Sequence, residues 1–344
     1  MTDKKYFYYK NKSREIVPVS DDHLQDQAKL LLKDIYQKRN KLQIPKRYIE
    51  NWSDVKLYNP AGNIEKVDAL ILNVQDGAYD LKNKMNNLTG KEWTKFTCSW
   101  FIFNALASDL KEERAVTLDT QDHPATYSPT MVSDFIKFFT KEGDTVLDPF
   151  AGIGSTLVAC RRTNRIGYGI ELNKKYFDII LKRVPEFAKN VYNADSAKLD
   201  TLNLPKINYS ISSPPYWDVL NRSTDGFKKT REEKGFDVNY SNTNNDLGNI
   251  SDYDEFLKAV CSIYMKLYDL LEYGSYITII VKNIKKGGKM YPLAWDMARI
   301  LGEKYVLKDE KIWIQDKIGL SPYGYPNSWV SNILHHYCLI LRKE

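Results

Sequence analysis

The sequence predicts an α/β protein built on a Rossmann-like, doubly wound, mostly parallel sheet, and three observations predict it. From about Asp122 onward, short apolar runs alternate with helical stretches, the rhythm of parallel strands joined by crossover helices. A glycine-bearing loop follows the first of these runs and an acid ends the second, at the sheet edge where open α/β folds bind ligands. Two extended runs near the C-terminus predict an antiparallel hairpin at the edge of that sheet.

Ahead of this region, Asp21 to Leu42 places Leu24, Ala28, Leu31, Leu32 and Ile35 at helical spacing among charges, which predicts an amphipathic helix. Pro45 to Leu88 carries a weaker pattern. Thr89 to Leu110 is strongly aromatic and is expected to form a helix with one buried face. Residues 1–121 are thus read as an N-terminal, mainly helical extension, and residues 122–344 as the main domain.

Within that domain the expected strands are Thr145 to Asp148, Ile166 to Glu171, Ile207 to Ser212 and Tyr276 to Lys282. The expected helices are Pro129 to Thr140, Ser155 to Thr163, Lys174 to Arg183 and Tyr253 to Leu271. Tyr305 to Ile314 and His335 to Arg342 supply the hairpin. Between Asp218 and Ser251 the chain is polar and Asn-rich without an apolar period. Such a stretch predicts a long loop or insertion, and loops beyond about 15 residues are usually functional or disordered.

Composition narrows the partners. The 344 residues carry 50 Lys+Arg against 44 Asp+Glu, a net charge of +6, which suits a polyanion without requiring one. The 24 tyrosines and seven tryptophans can stack on bases or fill a core. Cys98, Cys160, Cys261 and Cys338 lie far apart with no paired spacing, so neither a zinc site, nor any other metal, nor a disulfide framework is suggested. That pattern points to a reducing cytoplasm. No segment approaches about 18 uninterrupted apolar residues, so a soluble intracellular protein is expected.

The stretch Gly143-Asp-Thr-Val-Leu-Asp-Pro-Phe-Ala-Gly-Ile-Gly-Ser-Thr predicts a turn, a buried strand and a glycine loop opening a helix. Gly152 and Gly154 let backbone approach a ligand where a Cβ would clash, and the following helix start offers unpaired N–H groups. Glu171 ends the next strand about 20 residues on, where a carboxylate can grip two ribose hydroxyls. The third glycine of a dinucleotide fingerprint is missing, since Ser155, Thr156 and Leu157 follow Gly154, and no Gly-Lys-Ser/Thr follows as a P-loop requires. Asp195 ends a further run, where it could accept from an adenine amino group or serve as a turn or helix N-cap beside Ser196.

Ile207-Asn-Tyr-Ser-Ile-Ser-Ser-Pro-Pro-Tyr-Trp217 is the most informative stretch. Pro214 and Pro215 end the strand ladder and fix φ, so the loop leaves the sheet rigidly. Carbonyls held in such a loop, with the Ser213 hydroxyl, can accept from a base amino group and aim its lone pair at an electrophilic methyl. Tyr216 can stack on a base extruded from its helix, and the chemistry then needs positioning more than acid–base power.

These residues resemble the amino-methylating DNA methyltransferases, whose cofactor motif looks like Asp148 to Thr156 and whose catalytic tetrad looks like Ser213-Pro214-Pro215-Tyr216. The resemblance covers about Asp122 to the C-terminus and implies a class I methyltransferase fold with S-adenosylmethionine as cofactor and S-adenosylhomocysteine as product. It implies that Asp148, Phe150, Gly152 and Gly154 surround the methionine part, with Ser155 and Ser212 alongside, Glu171 at the ribose and Asp195 at the adenine. His123 and Pro124, heading His-Pro-Ala-Thr-Tyr-Ser-Pro129, are similar to the family's additional cofactor motif, and His336 to Lys343 to its last strand.

A serine heading the tetrad with Trp217 after its tyrosine is similar to the cytosine N4 branch, whereas the adenine N6 branch more often carries aspartate. The implied partners are DNA, duplex and with the target base flipped out, and a cognate restriction endonuclease in a prokaryotic or phage-encoded system. No large target-recognition domain follows the tetrad. The insertion after Asp218, the loops Asn283 to Trp295 and Gln315 to Asn332, and the N-terminal extension are the candidates for reading sequence. Competing readings are a guanine amino-methyltransferase of transfer RNA, which looks more like Asp-Pro-Pro-Tyr, a protein glutamine methyltransferase, Asn-Pro-Pro-Tyr, and a binding module that has lost turnover.

Overall fold

The apolar runs from Trp100 onward assemble into one eight-stranded sheet. A computed structural model describes residues 6–9, 16–19, 48, 56–58, 69–71, 77–80, 82–103, 127–217, 247–315 and 319–344. The chain divides into two compact units, one of Met1–Cys98 with Thr140–Glu142, the other of Ser99–Phe139 with Gly143–Glu344.

In the first unit β1 (Tyr6–Tyr9) pairs antiparallel with β2 (Ile16–Val19). A second antiparallel sheet joins β3 (Lys56–Tyr58), β4 (Ala69–Ile71) and β5 (Ala78–Asp80). The buried rings of Tyr48 and Tyr79 stack with centroids 4.8 Å apart. Helix α1 (Gly90–Phe96) opens on a capping box, in which Glu92 N donates to Thr89 Oγ1 and Thr89 N donates to the Glu92 carboxylate at 2.8 Å. The amphipathic helix expected over Asp21 to Leu42 lies outside the described residues.

The second unit holds the central sheet, in the order β6-β14-β15-β11-β10-β7-β8-β9. Its strands are β6 (Trp100–Ile102), β7 (Thr145–Asp148), β8 (Ile166–Glu171), β9 (Val191–Asn193), β10 (Ile207–Ser212), β11 (Leu271–Val281), β14 (Val306–Ile314) and β15 (His335–Arg342). From β9 across to β11 every pairing is parallel, and β15 then runs antiparallel between β11 and β14. This is the doubly wound, mostly parallel sheet with an antiparallel hairpin that the sequence predicts, and its strand order is that of class I methyltransferases. A small hairpin of β12 (Ile284–Lys286) and β13 (Lys289–Tyr291) follows β11.

Helices α2 (Pro129–Phe139), α3 (Ser155–Arg162), α4 (Lys174–Arg183), α5 (Tyr253–Leu270) and α6 (Leu293–Leu301) connect the strands. Helices α4, α5 and α6 each bury one stripe, whereas α3 buries every residue from Ser155 to Cys160. In α5 that stripe is Phe256, Val260, Ile263, Tyr264 and Leu267, recurring at three and four residues as a helix facing a sheet requires. Asp252 caps α5, accepting from Glu255 N at 2.9 Å. The continuous burial of Ile277 to Val281, with Leu339 and Leu341 on the adjacent β15, fits central strands covered on both faces. No described helix is long and apolar enough to cross a membrane.

Two expectations change. Thr89 to Leu110 is not one helix with a buried face: α1 stops at Phe96 with none of its residues buried, and Trp100–Ile102 becomes β6. The aromatic and β-branched residues there pair parallel with Ile312–Ile314, and Trp313 Nε1 donates to Phe103 O at 3.0 Å. Consequently the terminal hairpin is not at the sheet edge, because β6 flanks it.

Candidate active site

Parallel pairing sets the carboxyl ends of β7, β8 and β10 along one edge of the sheet, and the predicted site residues sit where those strands end. Asp148, the last residue of β7, is fully buried. Three donors reach its carboxylate: Tyr127 Oη at 2.8 Å, Thr156 Oγ1 at 2.6 Å and Phe150 N at 2.9 Å. The two hydroxyl oxygens are also within 2.6 Å of each other. Burial pushes the Asp148 carboxyl up to about 6, while the bonds from Thr156, Tyr127 and Phe150 pull it down. Burial and the adjacent Asp148 hold the Tyr127 phenol well above its ordinary value.

The turn after Asp148 uses both glycines in the left-handed region, Gly152 at φ 53° and Gly154 at φ 85°. A Cβ on Gly154 would also stand 3.1 Å from Ile180 Cγ1. Gly154 caps α3, and Ser155 is its buried first residue. Glu171 grips this turn from the end of β8: Gly152 N donates to Oε2 at 2.8 Å and Asn173 N to Oε1 at 2.7 Å. Two backbone donors thereby hold the carboxylate. Asp195 takes the capping role its neighbour Ser196 suggested, accepting from Ala197 N at 2.8 Å. Ser196 Oγ donates to Pro149 O, which ties that 3₁₀ turn to the glycine loop.

At the end of β10, fully buried Ser212 shares a 2.8 Å hydrogen bond with Tyr264 Oη of α5. Ser213 Oγ lies 3.1 Å from Tyr216 Oη across the two prolines. Burial pushes the Tyr216 phenol up to about 12, partly offset by the Ser213 bond, so it is protonated at neutral pH. Trp217 is buried and structural: Nε1 donates to Ser251 O at 3.2 Å, and the ring packs against Tyr253 and Tyr291 with centroids 5.0 and 4.6 Å away. Lys286 Nζ stands over it at 4.5 Å.

Of the predicted residues, Asp148, Phe150, Gly152, Gly154, Ser155 and Glu171 share one loop system, and Asp195 joins it through Ser196. Ser212, Ser213, Pro214, Pro215 and Tyr216 follow the adjoining strand. His123 and Pro124 lie outside the described residues, although Tyr127 of the same motif does reach Asp148. Sequence reasoning missed Tyr127, Thr156 and Tyr264 as partners of the site. It also missed His336, whose ring stacks on Trp313 at 4.5 Å and approaches Tyr216 at 6.2 Å. Its Nδ1 is buried without a hydrogen-bond partner. The pair His335-His336 at the start of a terminal strand was the available signal.

The family model for N6/N4 DNA methylases matches residues 1–182, more than half of the 344, covering Asp148 to Glu171. Type II methyltransferase M.Cfr9I of Citrobacter freundii is 40% identical over 75 residues, 22% of this chain and 25% of its own length. M.BglI of Bacillus subtilis is 31% identical over 120 residues, 34% of this chain and 31% of its own. These matches span a third or less of each relative. Among solved structures, TrmN from Thermus thermophilus aligns at a TM-score of 0.44 and 12% identity, over 68% of this chain and 53% of that one. With the family model covering the glycine loop and its two acids, the chain belongs to the N6/N4 amino-methylating DNA methylase family.

Proposed function

We propose that the protein transfers a methyl group from S-adenosylmethionine to the exocyclic amino nitrogen of a flipped-out DNA base, cytosine N4 before adenine N6. The observation that carries this reading is the Ser213–Tyr216 hydroxyl pair, 3.1 Å apart, directly after a strand hydrogen-bonded to the one that ends in Asp148. Serine at the head of the tetrad supports cytosine.

The cofactor fits the residues present. A glycine turn at φ values that L side chains rarely adopt lies between a buried carboxylate, Asp148, and a backbone-held one, Glu171. That set suits a ligand with a ribose and an amino-acid tail. Asp148, Phe150, Gly152, Gly154 and Ser155 would hold the methionine part, Glu171 the ribose and Asp195 the adenine; Ser212 fixes the strand end through Tyr264. When bound, S-adenosylmethionine supplies an electrophilic methyl and leaves as S-adenosylhomocysteine.

The chain's own contribution is positioning. With Tyr216 Oη as the donor of the pair it forms with Ser213 Oγ, the serine oxygen keeps a lone pair to accept from the base amino group. Carbonyls of the two-proline loop accept the other amino hydrogen, which turns the nitrogen lone pair out of conjugation. The Tyr216 ring offers a face to a base taken out of its stack. The first unit and the insertion after Asp218 serve as DNA-contacting or supporting regions, and a restriction endonuclease of matching specificity is the expected companion in a prokaryotic cytoplasm.

The test is to incubate the protein with labelled S-adenosylmethionine and, separately, mixed-sequence duplex DNA and bulk transfer RNA, then identify the methylated nucleoside by mass. N4-methylcytosine from DNA is expected. N6-methyladenine would move the reading to the alternative base, and label in RNA alone would overturn the substrate.

A further inference from the structure

Residues 319–332, ahead of β15, are tied together by their own hydrogen bonds and display large rings. Gly324 sits at φ 80°, where a Cβ would come within 2.4 Å of Ser328 O, and it accepts from both Asn327 N and Ser328 N at 2.8 Å. Asn332 clasps the loop's two ends, its Oδ1 accepting from Ser321 N and its Nδ2 donating to Ser321 O, each at 3.0 Å. Lys285 of β12 anchors it from below, donating to Ser331 O at 2.6 Å and Ser331 Oγ at 2.8 Å.

On this fixed frame Tyr323, Tyr325 and Trp329 are 58%, 82% and 88% exposed. Large apolar rings held out to water mark an interaction surface. The charge around them selects the partner. Neither 283–292 nor 319–332 contains a single Asp or Glu, while the first carries Lys285, Lys286 and Lys289. Lys285 Nζ stands 6.0 Å from the Trp329 ring, and Lys286 stands over Trp217, the residue after Tyr216. The register places the surface as well. Val281, the end of β11, pairs with Tyr337 near the start of β15, and Ile279 pairs with Ser212 at the end of β10. The loop and the β12–β13 hairpin therefore leave the sheet at the same edge as Ser213–Tyr216.

We propose that the 319–332 loop and the β12–β13 hairpin form the surface that receives the DNA duplex beside the extruded base, with Tyr325 and Trp329 stacking on bases and Lys286 and Lys289 meeting phosphate. The proposal rests on the methyltransferase reading and names the segment that contacts the substrate. Rings that stack on bases and lysines that meet phosphate are the two devices by which proteins hold opened nucleic acid.

The test compares the full-length wild type with Tyr325→Ala/Trp329→Ala, Trp329→Ala and Lys289→Ala, on mixed-sequence duplex DNA. Duplex affinity, its salt dependence, cofactor affinity and methyl transfer at saturating DNA are measured on each. Loss of about tenfold in DNA affinity for each ring, a salt slope lowered by about one for Lys289→Ala and unchanged cofactor affinity are expected. If wild type methylates DNA and all variants bind the duplex within twofold of it, this surface is overturned and the catalytic reading stands. The same holds if the ring variants only turn a dimer into a monomer in sedimentation, since a second copy then covers the rings. If wild type neither binds nor methylates DNA, both readings fall together.

Discussion

Tyr216 Oη lies 3.1 Å from Ser213 Oγ, so the first and last residues of the two-proline tetrad are joined by their own side chains. Burial keeps the phenol protonated, with its titration pushed up to about 12, so both hydroxyls carry a proton at neutral pH and the pair can turn so that Ser213 Oγ keeps a lone pair for substrate. Ser213→Ala is expected to lower turnover by about 10- to 100-fold, the worth of one hydrogen bond made at the reacting nitrogen, with cofactor affinity unchanged. Tyr216→Ala should lose most turnover as well, and Tyr216→Phe, which keeps the ring, should lose less. Single-turnover kinetics with calorimetric cofactor binding checks this. Normal turnover in both alanine variants would sink the assignment.

Asp148 faces the glycine turn with three donors already on its carboxylate, and its ionised form has to persist for a cationic ligand tail to be held. Asp148→Ala should abolish cofactor binding, and Thr156→Val should weaken it by less, since Tyr127 and Phe150 N remain. Burial raises the Asp148 carboxyl to about 6. Cofactor affinity in the wild type should therefore hold above that pH and fall by up to roughly tenfold per unit below it. A titration showing constant affinity from pH 7 to pH 5 would remove Asp148 from the binding role.

What the sequence could and could not disclose follows from how local each signal is. Thr145–Asp148, Ile166–Glu171, Lys174–Arg183 and Ile207–Ser212 have Pro, Asp or Asn within two residues of both ends, so their limits were legible to the residue. Trp100–Ile102 was not, because a three-residue strand has too short a period to read and its partner, Trp313, lies more than 200 residues away. The glycine loop and tetrad were legible for the same local reason. The Tyr127–Asp148 and Tyr216–His336 contacts were not, being products of strand order. Trp217 was read as a mark of substrate class, and its burial against Tyr253 and Tyr291 gives it a packing role besides.

Binding to DNA should weaken as salt rises. The chain carries a net charge of +6, and each phosphate contact releases counterions, giving a log–log slope of about −0.9 per contact on duplex DNA. Anisotropy titrations of mixed-sequence duplex between low and physiological salt are the measurement. A flat response on both DNA and transfer RNA would argue against a nucleic-acid substrate altogether, whereas a slope on RNA alone would favour the transfer RNA reading.

Two buried groups of this edge pull acid stability in opposite directions. His336 is held down to about 3, first by burial, then by Lys282 and His335, so the unfolded chain takes its proton first and stability is lost as pH falls from about 6.5 toward 3. Asp148, raised from 3.8 to about 6, takes its proton first in the folded state, so its contribution is present below 3.8 and lost as pH rises through about 6. Each effect amounts to about 1.4 kcal/mol per pH unit within its window, and between about 4 and 6 they offset each other. Relative to wild type, His336→Phe should therefore become more stable as pH falls from 6 to 4, and Asp148→Asn less stable. Urea midpoints of the three proteins across that range decide it. Parallel curves would mean that neither group titrates differently in the folded chain, and would place both side chains in contact with water rather than inside the sheet edge that Tyr216 closes.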